Sequence, residues 1–530
     1  MAERNLPPPR SHERLVWTSS FGEGLRDPAE RGEYPLRSIY LHVFNFLLAL
    51  ILALDVCSSL DAQPTEGPDM AVTGIDGLIQ VGRVGETVAL SLESTICNVG
   101  TEPVDWVANP DPNHPFLIFN LYRLENDRFE QMGESWAKHG ITASQDEKCG
   151  VPCNEFVFGL RLGVGCSDTY GQDLNSDQSH MGPRSEINPW TGYFEYPGSY
   201  IDVHGQDLHD EVEHRLQARD SDIDPLLHPD ARFFVELIVV GHDDFHRDNN
   251  IAYREFTVSG SSGGVWGFEL VGPVHVGPAL SEWSVDSIDV INDLPDDGRV
   301  HVTSKVSRNL DGSWHYEYAL FNRDMVRAVD GFVLEIDEAL DITNVGFHAP
   351  LTEEPGFGNY EWLNYRDADS FIWVTAFTIA TPVPNPVRWG SLYNFRFDAL
   401  TAPEDSEAVL SLFQSGIPAS VTVGILAPSA PVEVSGFLRG DCDGDGFVGG
   451  TVGDALNTLN YLFIGDVTPG CLAACDFDGA GFIDMSDVIA SLNFNFFSDP
   501  VPGAPYPACG TLQTPADIPL GCEEPPLICS

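Results

Sequence analysis

The chain has 530 residues, of which 80 are acidic and 27 basic, so its formal net charge is -53 at pH 7. Hydrophobic residues make up 43% and aromatic residues 11%, which excludes a wholly disordered chain and leaves room for about three domains. The negative charge excludes a nucleic-acid-binding protein and disfavours an anionic membrane surface, whereas it suits calcium and other hard cations.

The N-terminal residues 1–62 are predicted to be a leader and signal peptide. The apolar run VFNFLLALILAL at 43–54 has the length of a signal-peptide core and is shorter than the roughly 20 residues that span a bilayer. Small residues follow, and we expect cleavage after Ser59 or Ala62. The chain is therefore predicted to be secreted, extracellular or at the cell surface, with no membrane association after cleavage. The alternative is retention by an uncleaved signal anchor at about 39–56.

Eleven cysteines support export. Removal of Cys57 leaves ten, of which four fall within 97–166 and six within 442–529. Each cluster has an even number, so two local sets of disulfide bonds are predicted. Cys509 and Cys522 flank a short proline-rich loop and are expected to be the easiest pair to join.

Residues 64–280 are predicted to form a β-rich domain that contains disulfides. Short strand patterns with turn signals recur at 87–94, 116–124, 233–241 and 253–260. A long polar stretch at 166–230 lies among them, and such a stretch is either a functional loop or an elaborate loop without a function of its own. Its aromatic residues either stack on sugar rings or anchor the loop on the sheet; they are Trp190, Tyr193, Phe194 and Tyr196.

Residues 281–433 are predicted to form an antiparallel β-sandwich. The segments 301–306 and 314–321 have the alternation of a hairpin, and further strand patterns follow without an intervening helical pattern. The proline-containing segment 427–436 is predicted to link this domain to a region of different character. In that last region, acidic loops precede apolar helical patterns.

The first acidic loop carries the pattern of a calcium-binding loop. Asp441, Asp443 and Asp445 stand at positions 1, 3 and 5, where alternating carboxylates converge on one hard cation. Gly446 provides the sharp turn at position 6, and the carbonyl oxygen of Phe447 is the expected ligand at position 7. Position 12, where a carboxylate is expected, is a valine, and the nearest acid follows two residues later.

A second copy of the motif begins 35 residues after the first. It has acids at positions 1, 3, 9 and 12 and a phenylalanine at position 7; these are Asp476, Asp478, Asp484, Asp487 and Phe482. The helical patterns that follow the loops, DALNTLNYLF and DVIASLNFNF, are 33 residues apart. The first loop therefore has two extra residues within 449–453, and Asp454 is predicted to be the displaced equivalent of Asp487.

This duplicated unit of one calcium loop and one helix resembles the type I dockerin family. The resemblance covers 437–500 and rests on RGDCDGDGFV and on the Leu-Asn-aromatic triplets at 459–461 and 492–494. It implies two calcium ions that pack the helices back to back. It also implies a cohesin-like protein or cell-surface scaffold as partner. Residues 501–530 add a disulfide-stapled tail, and the six cysteines indicate a stapled variant of the family.

Other candidate residues have less specific patterns. His242 and His246 in HDDFH follow a predicted strand and are of types that bind metals, although such turns are usually solvated. His204, His209 and His214 suggest the same hypothesis but lack an HExxH motif. There is no G-x-S-x-G elbow. A glycosidase needs only two carboxylates, and 80 acidic residues do not single out a pair.

The leading hypothesis is a secreted, non-catalytic calcium-binding protein whose dockerin-like module serves docking or extracellular assembly. A second is an extracellular carbohydrate-active enzyme of the glycoside hydrolase type, acting on a polysaccharide and carrying a dockerin. A third makes residues 64–280 a carbohydrate-binding domain. All three share one predicted fold class: a mostly β protein with two antiparallel β-sandwich-like domains, followed by a small α-helical calcium-loop module.

Overall fold

The structure is a computed structural model that describes residues 66–529 with short gaps. Between these limits it does not describe 109, 156, 245, 295–296, 377–382, 431–435, 466–467, 512–516, 518 and 523–528. The predicted leader, signal peptide and alternative anchor at 39–56 lie outside the described residues. In the described part of the chain, no helix is long and apolar enough to cross a membrane.

The first β-sandwich is built from antiparallel strands. They are, in chain order, β1 (Met70–Val84), β2 (Thr87–Asn98), β3 (Val104–Asp105), β4 (Phe116–Glu125), β5 (Arg128–Glu134), β6 (Ala137–His139), β7 (Arg161–Leu162), β8 (Ser167–Tyr170), β9 (Met181–Gly182), β10 (Leu216–Arg219), β11 (Arg232–Val240), β12 (Ile251–Ser259) and β13 (Gly267–Val276). The outer sheet has the order β1-β2-β10, with β8 also paired to β2. The inner sheet has the order β13-β12-β11-β4-β6-β9, with β5 also paired to β4, while β3 and β7 pair separately.

The second β-sandwich is also antiparallel. Its strands are β14 (Ser287–Leu294), β15 (Gly298–Arg308), β16 (Trp314–Asn322), β17 (Val329–Glu335), β18 (Ile342–His348), β19 (Leu363–Asp367), β20 (Ser370–Val374), β21 (Ser391–Ala399), β22 (Pro403–Leu412) and β23 (Ser420–Pro428). They form two five-stranded sheets, β14-β15-β16-β21-β18 and β19-β20-β17-β22-β23. Alternating aromatic residues such as Tyr318, Phe395 and Trp373 fill the core between the sheets.

Strand β4 is buried on both faces. Leu117 and Phe119 point into the core of the first sandwich, whereas Phe116 and Ile118 point the other way and pack in a third core with Phe321 of the second sandwich. Successive side chains of a strand alternate between faces, so a strand covered on both sides needs a continuous apolar run. This explains the run at 116–124 and shows that the two sandwiches share an apolar interface.

A buried ionic network accompanies the third core. Arg388 Nη2 lies 3.0 Å from Glu134 Oε1, and both side chains are nearly inaccessible. Arg184 Nη1 donates to the carbonyl oxygen of Gly390 at 3.1 Å, which adds a second link between the sandwiches. Burial raises the pKa of Glu134, but the charges of Arg388 and Arg184 outweigh burial and hold that pKa below its ordinary value. The interface is therefore tied by paired charges as well as by apolar packing.

Helices are short in the sandwiches and longer in the C-terminal module. They are α1 (Gln172–Asn175), α2 (Tyr200–His204), α3 (Asp220–Ile223), α4 (Gly453–Phe463), α5 (Leu472–Cys475) and α6 (Met485–Phe497). Short 3-10 helices lie at Val157–Gly159, Gln178–His180, Arg184–Glu186 and Ala279–Glu282. In the module, α4 and α6 contact each other. Phe437 bridges to Gly510 and packs in a small core with Ala473 and Ala474 of α5. The predicted fold class is confirmed, whereas the exact domain boundaries stay a prediction.

Five disulfide bonds join the ten cysteines of the described chain, a set typical of oxidising compartments. The pairs are Cys97–Cys149, Cys153–Cys166, Cys442–Cys475, Cys471–Cys522 and Cys509–Cys529. The prediction of two local sets is confirmed. The expected Cys509–Cys522 pair was wrong: the Ala473 amide donates to the carbonyl of Gly521 at 3.0 Å, which holds Cys522 beside Cys471 instead.

Candidate metal centres

Three carboxylates of the first acidic loop converge on one point. One oxygen from each of Asp441, Asp443 and Asp454 lies within 4.8 Å of the others. Asp441 and Asp454 are 1% and 3% exposed, whereas Asp443 is open to solvent. Asp454 reaches the cluster from the first turn of α4, the position that the two-residue insertion predicted.

Backbone amides fix the orientation of these carboxylates. Asp441 Oδ2 accepts from the amide of Gly446 at 2.9 Å, across a turn in which Gly446 has a φ of 86°. Asp454 Oδ1 accepts from the amides of Cys442 and Asp443 at 2.9 and 3.3 Å. The other oxygen of Asp441, Oδ1, is buried and has no hydrogen-bond partner in the described structure. A buried anionic oxygen without a partner is costly, and a cation beside it would offset that cost.

The second acidic loop repeats this arrangement. Asp476, Asp478 and Asp487 again place three carboxylate oxygens within 4.8 Å of one another. Asp476 Oδ2 accepts from the amide of Gly481 at 2.9 Å, five residues on, as Asp441 does from Gly446. Asp487, in the first turn of α6, accepts from the amide of Asp478 at 3.2 Å. The two loops thus hold equivalent triads with equivalent backbone contacts.

The other predicted ligands lie outside these triads. Asp445 Oδ1 accepts from the amide of Phe447 at 2.8 Å and shapes the loop. Asp484 caps α6, where its carboxylate accepts from the amide of Ser486. Residues Phe447 and Phe482 are 70% and 57% exposed, and their carbonyl oxygens remain predicted ligands.

The pKa values of the buried carboxylates are raised in both triads, by burial and by repulsion between neighbouring carboxylates. Burial, followed by repulsion from Asp443, raises the pKa of Asp454 to about 7, and burial is also the main reason that the pKa of Asp441 rises to about 6. In the second triad, burial followed by repulsion from Asp478 raises the pKa of Asp487 to about 6. Burial raises the pKa of Asp476 as well, although the charge of Arg439 opposes the shift.

The donor chemistry of the triads fits calcium. Calcium takes six to eight oxygen ligands, with carboxylates, backbone carbonyls and water as the usual set. Each triad offers only hard oxygen donors in a glycine-containing turn and leaves one exposed carboxylate on its open side. Asp441, Asp443 and Asp454 would hold one ion, and Asp476, Asp478 and Asp487 the other.

The histidine candidates have other surroundings. His242 Nε2 lies 3.4 Å from Asp105 Oδ2, and Asp243 is the third member of that group. Asp105 already pairs with Arg161 at 2.6 Å, which favours a hydrogen-bonded cluster over a metal site. His246 contacts the carbonyl of Glu66 at 3.2 Å instead.

The histidines at 204–214 belong to an aromatic cluster. His214 stacks on Trp136 with ring centroids 3.5 Å apart, and His209 packs against His214. His204 contacts Asp207. No metal-type group among the described residues includes these three histidines.

Comparison with known proteins adds little. No family model matches the sequence, and no curated protein matches it. Among solved structures, the chain shows a likeness to a serine-rich repeat adhesion glycoprotein from Streptococcus agalactiae, at 8% sequence identity over 68% of this chain and 97% of that one. The TM-score of that likeness is 0.17.

Proposed function

We propose that this is a secreted, non-catalytic protein that binds two calcium ions in its C-terminal module and uses that module to dock onto another protein. The observation that carries the proposal is the buried Oδ1 of Asp441, which lacks a partner inside a triad of carboxylates that a second loop repeats. Bound calcium would neutralise each triad, and its binding free energy would stabilise the loops and the packing of α4 on α6.

An exposed apolar face supports the docking role. On α4, Leu456 and Phe463 are seven residues apart, and on α6 Met485, Ile489 and Phe496 are spaced by four and seven residues, so each set lies along one side of its helix; all five are 42% to 70% exposed. Exposed apolar stripes of this kind mark interaction surfaces. We call these five residues the apolar face. The chain carries a net charge of -53, so its partner is expected to offer an apolar patch bordered by lysine and arginine. The dockerin resemblance makes a cohesin-like protein or surface scaffold the proposed partner.

Calcium titration of the full chain, stripped of metal with EGTA, tests the first half of the proposal. Isothermal titration calorimetry should give two equivalents of bound calcium. Asp441→Asn and Asp476→Asn should each remove one equivalent, whereas the matched control Asp499→Asn, an exposed acid outside both loops, should keep both. An absence of binding, or unchanged binding by the double variant of both loops, would overturn the calcium proposal.

Binding to a panel of cohesin domains, measured by biolayer interferometry with calcium and with EGTA, tests the second half. Leu456→Asp and Ile489→Asp should weaken calcium-dependent binding by about tenfold or more, since each places a charge in an apolar contact. Val501→Asp, an exposed apolar position outside the two helices, is the control and should bind normally. If no cohesin binds, the docking role is wrong. Release of reducing ends from polysaccharides would contradict the non-catalytic part.

A further inference from the structure

A cavity of about 550 Å³ opens at one end of the first sandwich, far in sequence from the acidic loops. Asn113 lies at the entry to β4, His242 follows the end of β11, and residues of the loop 188–194 complete the lining. Phe116 of β4 pairs with Val240 of β11, so antiparallel pairing brings these two strand ends to the same edge. The volume of the cavity lies within the range of about 300–1,000 Å³ that is usual for small-molecule sites.

The loop 188–194, which lines the cavity, is held in place by hydrogen bonds within its own backbone and by packing against its neighbours. The amide of Gly192 donates to the carbonyl of Asn188 at 2.8 Å, and the amide of Asn188 donates to the carbonyl of Tyr193 at 2.9 Å. Gly192 has a φ of 64°, and a Cβ there would lie 2.4 Å from the backbone nitrogen of His242. Phe194 is buried against Phe116. The cavity wall is therefore preformed, which lowers the entropic cost of binding a ligand.

Of the aromatic residues at 190–196, most pack against the protein and anchor this segment, and one ring is exposed. Phe194 is 2% exposed, and Trp190 packs under the guanidinium of Arg247 at 4.2 Å. Tyr196 packs against the third core. Tyr193, in contrast, is 62% exposed and lines the cavity. Of the four aromatic residues that the sequence singled out, three act mainly as anchors and Tyr193 alone presents an open ring.

Around that ring a few polar groups interrupt a lining that is mostly apolar. Thr191 and the side chain of Asn113 offer a hydroxyl group and an amide, and Asn188 keeps an NH₂ donor while its Oδ1 accepts from the amides of Trp190 and Thr191. The imidazole of His242, held by Asp105, supplies a further polar group. No lysine or arginine is among the described lining residues.

We propose that this cavity binds a neutral saccharide, with the ring of Tyr193 as the stacking platform and Asn113, Thr191 and His242 as hydrogen-bonding groups. A sugar has an apolar ring face and a rim of hydroxyl groups, and the cavity offers the complement of both. An anionic sugar is disfavoured, since Asp105 and Asp243 lie behind His242 and the chain is strongly negative. The site is separate from the acidic loops and adds a ligand-binding function to the proposed docking role.

Titration of the full chain with neutral oligosaccharides of glucose, galactose, mannose, xylose and N-acetylglucosamine tests this site, with saturation-transfer NMR as the readout. At least one neutral glycan should bind. Tyr193→Ala should weaken that binding by about tenfold or more, and Tyr193→Phe should retain it within about threefold, because the phenyl ring keeps the platform. Tyr365→Ala, at a 49% exposed tyrosine of β19, is the matched control and should bind as the parent chain does.

Two further arms separate this proposal from the alternatives. Binding should persist in EGTA and in Asp441→Asn, which makes its outcome independent of the calcium proposal. His242→Ala should weaken binding without lowering the melting temperature appreciably. The proposal is overturned if none of the neutral glycans binds, if Tyr193→Ala binds as tightly as the parent chain, or if only uronate or sulfated glycans bind.

Discussion

The Cys442–Cys475 disulfide joins the two acidic loops next to their first carboxylates, with the two Cα atoms 4.5 Å apart. Cys442 directly follows Asp441, and Cys475 directly precedes Asp476. One covalent bond thus spans 33 residues and couples the buried starting residue of each triad to the other. Removal of the proposed calcium ions would leave the carboxylates to repel one another, but the bond would limit how far the loops can separate.

Replacement of this disulfide should make the module more dependent on calcium. In the Cys442→Ala/Cys475→Ala variant we expect the metal-free module to lose about 3–4 kcal/mol of stability, since a 33-residue loop is no longer closed in the unfolded chain. Limited proteolysis in EGTA, followed by mass spectrometry, should show faster cleavage within 437–500. The Cys153→Ala/Cys166→Ala variant is the control and should leave this cleavage unchanged. Equal protection in both variants would refute the prediction.

Asp454 and Asp484 are both predicted from the sequence to be calcium ligands, but they should differ in how much they contribute to calcium affinity. Asp454→Asn should weaken calcium binding by the first loop at least about tenfold, because it removes a buried charge of the triad. Asp484→Asn should change affinity in the second loop less than about threefold, since asparagine caps a helix about as well as aspartate. Calorimetry of both variants decides the point, and an equal loss in both would show that Asp484 is a direct ligand.

Disruption of the buried ion pair between Arg388 and Glu134 should lower the free energy of unfolding. Arg388→Met leaves Glu134 buried without its closest cation, and we expect a loss of about 3–5 kcal/mol in the free energy of unfolding. The double variant Glu134→Gln/Arg388→Met should be less destabilised than Arg388→Met, because the buried charges that remain, on Arg184 and Glu354, are opposite in sign. Urea unfolding followed by tryptophan fluorescence measures both. A double variant as unstable as the single one would show that the pair matters through packing alone.

Acid should destabilise the first sandwich partly through His114. Burial is the largest of the effects that lower the pKa of His114 to about 4, against an ordinary value of 6.5. The unfolded chain therefore binds a proton between pH 6.5 and 4 that the folded chain does not, so the stability falls as the pH falls through this window. At pH 5 the contribution of this one group is about 2 kcal/mol.

The variant His114→Gln should show a shallower decline in unfolding free energy between pH 7 and pH 5 than the parent chain. His275→Gln, at an exposed histidine, is the control and should keep the parent slope. Urea titrations at several pH values supply the slopes. Parallel curves for the parent chain and His114→Gln would show that His114 is not responsible.

Local patterns predicted much of this architecture, and contacts between distant segments account for the rest. The spacing of the two repeats placed Asp454 beside Asp441, because a fixed helix start forces the extra residues into the loop. The continuous apolar run at 116–124 indicated a buried strand, but periodicity carries no information about what covers its second face. The pairing of Cys509 likewise depends on the path of the tail past α5, which no local pattern encodes.

Strands β4 and β11 lie in the inner sheet with an apolar layer on each side, so their amide protons have no local route to solvent. Hydrogen exchange at Leu117 or Val235 should then require a subglobal opening that parts the two sandwiches, whereas amides of β13 at the sheet edge should exchange through smaller fluctuations. These central strands would form the slowest-exchanging unit of the chain. The exchange rates at Leu117 and Val235 therefore measure how strongly the two halves of the molecule depend on each other.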